Sequence, residues 1–143
     1  MPTIHRSAII PYSIEQMYDL INDIARYHEF VPYCIASVVH EKSDDEIRAT
    51  LILSAKGMQK SFTTLNRLQK NRLIEIQLID GPFKQLEGFW RFEMRDENHS
   101  EVILDLAFEL SNKIFAMMFG PVFQQVAGTL VDAFVERARK IYP

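Results

Sequence analysis

Few residues of this 143-residue chain have the type and spacing that catalysis requires. The four histidines, His5, His28, His40 and His99, show neither the His-x-x-His pattern nor the acid-plus-histidine spacing that binds a metal ion. The sequence has no glycine-rich phosphate loop and no Gly-x-Ser-x-Gly turn that would present a nucleophilic serine. Cys34 is the single cysteine, so no internal disulfide can form, and a free thiol is typical of a reducing cytoplasm. We therefore expect no catalytic centre, no metal ion and no cofactor.

The basic residues indicate a different kind of chemistry, which is contact with phosphate. A net charge of −3 argues against a general nucleic-acid binder, and we expect no DNA partner. From residue 56 to residue 74, however, the chain contains no acidic residue. The basic residues of this stretch are Lys56, Lys60, Arg67, Lys70 and Arg72. Most such runs are only a solvated face, but this is the region that we nominate for contact with phosphate on RNA or on lipid headgroups.

The N-terminal part of the chain carries the signals of one strand and two short helices. Residues 3–10 are typical of a strand, which Pro11 ends. Ser13 predicts a helix N-cap, because Gln16 stands three residues later as the partner of a capping box. A second short helix or turn is expected over residues 24–30.

A helical period returns near the C-terminus, where it runs from residue 113 to about residue 140. Ser111 or Asn112 is a suitable N-cap. Gly120 and Pro121 interrupt the pattern, since a proline inside a helix removes a hydrogen bond and clashes with the preceding turn. We therefore predict a kink, or a short helix that ends at Gly120 with Pro121 opening the next one.

Apolar and polar residues alternate along six segments between these helices. A period of two with short turns is typical of antiparallel strands that have one apolar face. The six segments are 35–42, 46–56, 59–69, 73–79, 84–95 and 101–110. We expect charged residues to interrupt the apolar stretches often enough to exclude a membrane-spanning helix. The order of elements predicts one α+β domain over residues 1–143 with the helix-grip arrangement, a curved antiparallel sheet wrapped around a long C-terminal helix with two short helices after strand 1.

The apolar face of the predicted sheet lies opposite the long helix. Gly88 is expected to let its strand bend and to leave space beside Trp90. Two alternatives follow: the facing side chains form a dry core, or they leave a cavity for an apolar molecule. The residues predicted to line such a cavity are Leu51, Leu53, Ile76, Leu78, Phe83, Trp90, Phe92, Leu104, Leu106, Phe119, Phe123 and Val126. Thr64 and Asn66 are the only polar side chains that we expect to point inward.

Flexible and aromatic residues are expected at the mouth of this cavity. Phe115, Met117 and Met118 precede the Gly120–Pro121 interruption and would give an adaptable lining. Phe83, which we expect in a loop, would form the opposite lip.

Three segments of the chain resemble the START-like (SRPBCC) helix-grip superfamily, and within it the coenzyme Q-binding family. They are PYSIEQMYDLINDIARYHEFVPYC near the start, LIDGPFKQLEGFWRFE in the middle and FGPVFQQVAGTLVDAFVERARKIY at the end. The middle segment is the most specific, with its Asp-Gly-Pro-Phe turn and its Gly-x-Trp-x-Phe strand. The similarity extends over nearly the whole chain, while Pro121 departs from the usual pattern of the helix.

The resemblance implies two functions, neither of which is catalytic. Some members bind ubiquinone or a similar polyprenyl lipid in the cavity and support respiration, and this is the function that we expect first. The bacterial branch includes ribosome association toxins, which bind the large ribosomal subunit, block its association with the small one and inhibit translation. Polyketide cyclases share the fold, so an enzyme is a third alternative, which the shortage of inward polar residues disfavours. A cytoplasmic location is expected, with peripheral contact at the inner membrane face if the ligand is a lipid.

Overall fold

The computed structural model describes residues 2–142 of the chain. Seven strands, two α-helices and one 3-10 helix follow each other in the predicted order. The strands are β1 (Thr3–Ile10), β2 (Cys34–Lys42), β3 (Glu46–Ala55), β4 (Met58–Gln69), β5 (Leu73–Asp80), β6 (Phe83–Met94) and β7 (Ser100–Leu110). The helices are α1 (Ile14–Asn22), the 3-10 helix (Ile24–Glu29) and α2 (Lys113–Ile141).

All seven strands belong to one antiparallel sheet in the order β1-β7-β6-β5-β4-β3-β2. Consecutive strands from β2 to β7 are neighbours, and β1 is added at the edge by pairing with β7. The helix α2 lies on the inner face of the curved sheet and packs mainly against β1 and β7. The 3-10 helix packs against β2 at the other edge. The predicted helix-grip architecture is confirmed, and α2 leaves the inner face of β3 to β5 less tightly covered.

The start of α1 confirms the predicted capping box. The backbone N–H of Gln16 donates to Ser13 Oγ at 3.1 Å, and the Ser13 N–H donates to Gln16 Oε1 at 3.0 Å. The helix buries Met17 and Ile21 against the sheet, and the Tyr18 ring meets the edge of Phe92 at 5.5 Å. This contact packs α1 against β6.

The helix α2 differs from the sequence prediction at Pro121. Asn112 caps it, because Asn112 Oδ1 accepts hydrogen bonds from the N–H groups of Ile114 and Phe115 at 2.8 and 3.1 Å. The helix then continues through Pro121 to Ile141, so the prediction of a short helix ending at Gly120 is wrong. An interior proline costs about 3 kcal/mol. Buried residues on both sides of Pro121, among them Phe119 and Phe123, hold the two turns against the core and offset this cost.

The expectation about charged residues is also wrong for α2. Residues 114–131 carry no Asp, Glu, Lys or Arg. By length and composition alone, α2 is therefore apolar enough to cross a membrane, although it lies along the sheet here. Only a third of the most apolar part of this helix is buried.

Gly88 permits a close approach between β6 and β7. A Cβ atom at this position would overlap the carbonyl oxygen of Asp105 and lie 2.9 Å from the Cα of Leu106 on β7. The backbones of β6 and β7 can therefore approach this closely only without a side chain at residue 88. Trp90 and Phe92, two and four residues further along β6, lie on the same face as Gly88 and are buried, because side chains alternate along a strand.

Candidate functional site

A cavity of about 90 Å³ lies between the inner face of the sheet and α2. Its walls are almost entirely aliphatic and aromatic. Of the residues predicted to line it, those that do are Leu51, Leu53, Ile76, Trp90, Leu106, Phe123 and Val126. The cavity lies next to β3, β4 and β5, where α2 covers the sheet least.

The remaining predicted lining residues are in the core but outside the cavity wall. Leu104 is fully buried, Leu78 is partly buried, and Phe92 faces Tyr18 on α1. Phe119 stacks on Phe115 with ring centroids 5.2 Å apart. These side chains have the predicted inward direction, but their neighbours already fill the space around them.

The sequence predicted Phe83 in a loop, where it would form a lip of the cavity mouth. This prediction is wrong. Phe83 is the first residue of β6 and is buried. Its ring packs edge-on against Phe62 at 5.6 Å and against Phe123 at 4.9 Å. This aromatic cluster closes one side of the cavity, because both partners of Phe83 line it.

Several lining residues were missed by the sequence analysis. The largest contribution comes from the segment of the 3-10 helix, which supplies Ile24, Tyr27 and Val31. The Tyr27 hydroxyl donates to the Ile21 carbonyl oxygen, and burial raises the pKa of Tyr27 far above its usual value. This hydroxyl is therefore neutral and already engaged. The lining residues missed elsewhere are Ala49, Phe62, Leu86, Ala127 and Leu130.

Two polar side chains reach the cavity, and they are the two that the sequence predicted. Thr64 and Asn66 follow each other on the inner face of β4, and both line the cavity. Thr64 Oγ1 donates to Asn66 Oδ1 at 3.1 Å. Asn66 is only 8% exposed, and its amide N–H groups have no hydrogen-bond partner among residues 2–142. The Asn66 amide is thus a potential donor to a guest in a wall that is otherwise mostly apolar.

The size of the cavity limits what it can hold in this state. Sites that enclose a drug-sized ligand usually measure about 300–1,000 Å³, and a cavity of about 150 Å³ is known to bind benzene. At about 90 Å³, the space fits a small group and no complete polyprenyl quinone. The interior is therefore intermediate between the two alternatives, a largely packed core with a small apolar hollow.

A second, larger depression of about 810 Å³ lies on the outer face of the same sheet. It is open to solvent and carries charges of both signs, including Arg67, Glu75 and Arg91. His5 Nδ1 lies 2.6 Å from Asp105 Oδ1 at its rim. The curvature of the sheet creates this groove, and we give the enclosed apolar cavity more weight because the groove lacks walls that would exclude water.

The basic residues predicted to contact phosphate do not form one patch. Lys56 and Lys60 lie at the β3–β4 turn, while Lys70 and Arg72 lie at the opposite end of β4. At about 3.3 Å per residue, the two ends are roughly 33 Å apart. Arg67 also lies opposite Glu75 in the register of β4 and β5, and its Nε is 3.8 Å from Glu46 on β3. The stretch lacks acids in sequence, but neighbouring strands supply them in space.

The groups with potential for catalysis remain separated. Each histidine has a different polar neighbour: Asp105 for His5, Ser37 for His28, Thr50 for His40 and Asp96 for His99. Within residues 2–142, no three His, Cys, Asp or Glu side chains lie together as a metal site would require. Cys34 is buried, and burial raises the pKa of its thiol, which disfavours the reactive thiolate.

Known proteins are similar to this sequence over most of its length. The family model described as "Polyketide cyclase / dehydrase and lipid transport" matches residues 10–135. The ribosome association toxin RatA of Escherichia coli (strain K12) is 41% identical over 142 residues, which cover 99% of this chain and 90% of that protein. The mitochondrial coenzyme Q-binding protein COQ10 of Drosophila melanogaster is 25% identical, over 94% of this chain and 57% of that protein.

Solved structures show the same architecture. A START superfamily protein from Mycobacterium smegmatis has a TM-score of 0.79 at 16% identity and covers 97% of this chain and 98% of its own. The Zhui aromatase/cyclase from Streptomyces sp. R1128 has a TM-score of 0.83 at 14% identity. The alignment covers 97% of this chain and 94% of that one. At these identities the likeness concerns the fold alone. Together with the family match and the full-length similarity to ribosome association toxins, it establishes that the chain belongs to the START-like family of polyketide cyclase/dehydrase and lipid transport proteins.

Proposed function

We propose that the protein acts without catalysis, by associating with the ribosome in the cytoplasm. The observation that carries this proposal is the 41% identity with RatA, which extends over 142 residues and nearly the full length of both chains. The site supports a non-catalytic role, because the cavity holds no acid–base pair among its lining residues. As the resemblance implies, the target would be the large ribosomal subunit, and the result would be a block of subunit association.

The surface that we assign to ribosomal phosphates is the β4–β5 end of the sheet. Lys70 and Arg72 are exposed on either side of Asn71, whose positive φ of 63° makes a tight turn. Both side chains can therefore reach a phosphate backbone without disturbing the core. Arg67 is a weaker candidate, because Glu46 already lies near its guanidinium group.

Sucrose-gradient sedimentation of cell extracts tests this function. Added protein should increase free subunits at the expense of whole ribosomes, and it should sediment with the large subunit. The double charge reversal Lys70→Glu with Arg72→Glu should weaken association about tenfold or more. The matched control is Lys56→Glu with Lys60→Glu at the other end of the hairpin, which we expect to associate normally. Unchanged subunit profiles with the wild-type protein would contradict the proposal.

A second function is favoured by the cavity itself, namely binding of an apolar molecule with a polar end. The Asn66 side chain lies in an otherwise mostly apolar wall, and no hydrogen bond of its amide N–H groups is found among residues 2–142. A hydrogen bond to this amide would contribute about 0.5–1.5 kcal/mol, so a guest with a carbonyl oxygen would bind more tightly than a pure hydrocarbon. A quinone head meets this requirement, and its tail would require the cavity to widen between α2 and β3.

Ligand binding can be tested separately from ribosome binding. Organic extracts of the purified protein, analysed by mass spectrometry, should contain a quinone or another polyprenyl lipid. A short-chain benzoquinone should raise the melting temperature, and Asn66→Leu should weaken its binding about tenfold. The same ring without carbonyl groups is the control ligand, and Asn66→Leu should not weaken its binding. If neither ligand shifts the melting temperature, the cavity is only a packing defect.

A further inference from the structure

The first two turns of α2 expose an apolar stripe. Ile114, Met117 and Met118 are 72%, 80% and 48% exposed. Their spacing of three and four residues places them on one face of the helix. Single exposed apolar residues are ordinary, but neighbours that form a continuous surface mark an interaction site.

This stripe is not needed to hold α2 on the sheet. An adjacent face of the same turns carries Phe115 and Phe119, whose rings stack at 5.2 Å. Phe119 is 2% exposed and belongs to the core. The helix therefore already has a buried face, and Ile114 and Met117 could be polar without loss of packing.

Lysines from the β3–β4 turn border the stripe. Lys60 Nζ lies 5.1 Å from the centre of the Phe115 ring, and Lys56 Nζ lies 3.5 Å from the carbonyl oxygen of Met118. The neighbouring β5–β6 turn region carries one further lysine, Lys84, and one acid, Asp80. The apolar stripe thus has a mainly basic border.

We propose that the surface formed by Lys56, Lys60, Ile114, Met117 and Met118, the α2 tip surface, docks on an anionic lipid bilayer. Aliphatic side chains would enter the boundary between headgroups and acyl chains, while the lysines would meet lipid phosphates. Methionine suits such a surface, because its flexible side chain adapts to a fluid partner. RNA offers phosphates to the lysines but no apolar counterpart for the stripe, so the combination favours a bilayer.

Docking through the α2 tip surface would bring one wall of the cavity close to the membrane. Phe62 lines the cavity and lies two residues after Lys60 on the same face of β4. A lipid could then pass between the β3–β4 turn and the first turns of α2. The docking proposal rests on the exposure of the apolar stripe and on the charge of the two lysines. Finding the cavity empty would therefore not contradict it.

Sedimentation with vesicles tests the surface, using the whole chain. We expect the protein to sediment with vesicles of equimolar phosphatidylcholine and phosphatidylglycerol, and much less with phosphatidylcholine alone. Met117→Glu should weaken binding to the anionic vesicles about tenfold. Lys56→Ala with Lys60→Ala should weaken it about thirtyfold, from the usual contribution of each lysine near an anionic surface.

The matched control is Met94→Glu, which places the same charge on a methionine of similar exposure. Met94 is 72% exposed and ends β6, which starts at Phe83 beside α2. At about 3.3 Å per residue, the two ends of this strand are roughly 36 Å apart. We expect Met94→Glu to bind vesicles like the wild type, and thermal melts to show every variant folded, because the altered side chains are exposed.

Two results would overturn the docking proposal. One is a wild-type protein that stays in solution with the anionic vesicles; if Met117→Glu then also loses ribosome association, this surface belongs to the ribosome. The other is a Met94→Glu variant that is impaired as strongly as Met117→Glu. Failure of ribosome association alone leaves the vesicle result unaffected, so the two proposals are separable.

Discussion

The two segments of α2 use apolar residues in opposite ways. The first segment, residues 113–120, buries Phe119 but exposes Ile114 and Met117. The second segment, residues 121–141, buries an apolar stripe and places its charged residues on the other face. The buried apolar residues of the second segment are needed for the fold. The exposed apolar residues of the first segment are not.

The largest contrast between the segments should appear in their response to truncation. Phe134 in the second segment is 1% exposed and meets Tyr27, Phe30 and Trp90 edge-on at 5.1–5.4 Å. Phe134→Ala should lower the free energy of unfolding by about 3–5 kcal/mol, or prevent folding. Met117→Ala should change it by no more than about 0.5 kcal/mol. Urea unfolding measures both, and equal losses would show that the first segment is part of the core.

The boundary between the segments offers the next test. Pro121 is exposed and lies inside a continuous helix. Pro121→Ala restores a backbone donor and removes the clash of the ring, so the free energy of unfolding should rise by about 1–3 kcal/mol. A fall in thermal stability would show that the proline shapes a bend on which the packing depends.

The second segment should also make stability sensitive to high pH through its contact with Tyr27. Burial raises the pKa of Tyr27 in the folded state above its unfolded value of 10.0. The contribution of the neutral tyrosine to the free energy of unfolding is therefore complete below pH 10. As the pH rises above 10, this contribution is lost, because the unfolded chain releases the proton first. Each further pH unit should cost about 1.4 kcal/mol while the folded protein keeps this proton. Tyr27→Phe should cost about 1 kcal/mol at neutral pH, for the hydrogen bond to Ile21, and should reduce the alkaline loss. Unfolding curves at pH 8 to 11 would show it, and identical slopes for both proteins would contradict the assignment.

The smallest effect is expected at two glycines, one in each segment. A Cβ at Gly120 would lie 3.6 Å from Leu110 Cδ1, and one at Gly128 would lie 3.7 Å from Arg6 Nη2. Both are ordinary van der Waals contacts, so Gly120→Ala and Gly128→Ala should each raise the free energy of unfolding by about 0.5–1 kcal/mol. Differential scanning calorimetry can resolve this. A destabilised Gly128→Ala protein would mean that Arg6 cannot adjust.

Local patterns in the sequence were sufficient for most of the fold. The capping box at Ser13 and Gln16 is confirmed, and so is the alternation that places Leu51 and Leu53 on the inner face of β3. Of the two alternatives at Pro121, the helix break at Gly120 is wrong, because packing of Phe119 and Phe123 outweighs a local helix-breaking preference. Propensity is local, whereas burial depends on partners far along the chain.

For the candidate site, the sequence predicted the direction of the side chains but not the space between them. Phe92 and Leu104 point inward as predicted, yet Tyr18 and other neighbours fill the space beside them. The contribution of Tyr27 was missed, since no periodic signal shows that the 3-10 helix reaches the inner face of β3. A cavity is the volume that all neighbours leave unfilled, and no single strand carries that information.

The sequence by itself determined the order of the elements, the apolar face of each strand and the presence of Thr64 and Asn66 on the inner side. These properties depend on the period of two in strands and on chemical groups a few residues apart. Only the tertiary structure decided that the five basic residues separate to two ends of a hairpin, that the cavity measures about 90 Å³, and that Lys56 and Lys60 meet the exposed start of α2. The physical reason is that distance along the chain fixes periodicity, while contacts between remote segments fix volume, charge clustering and exposure.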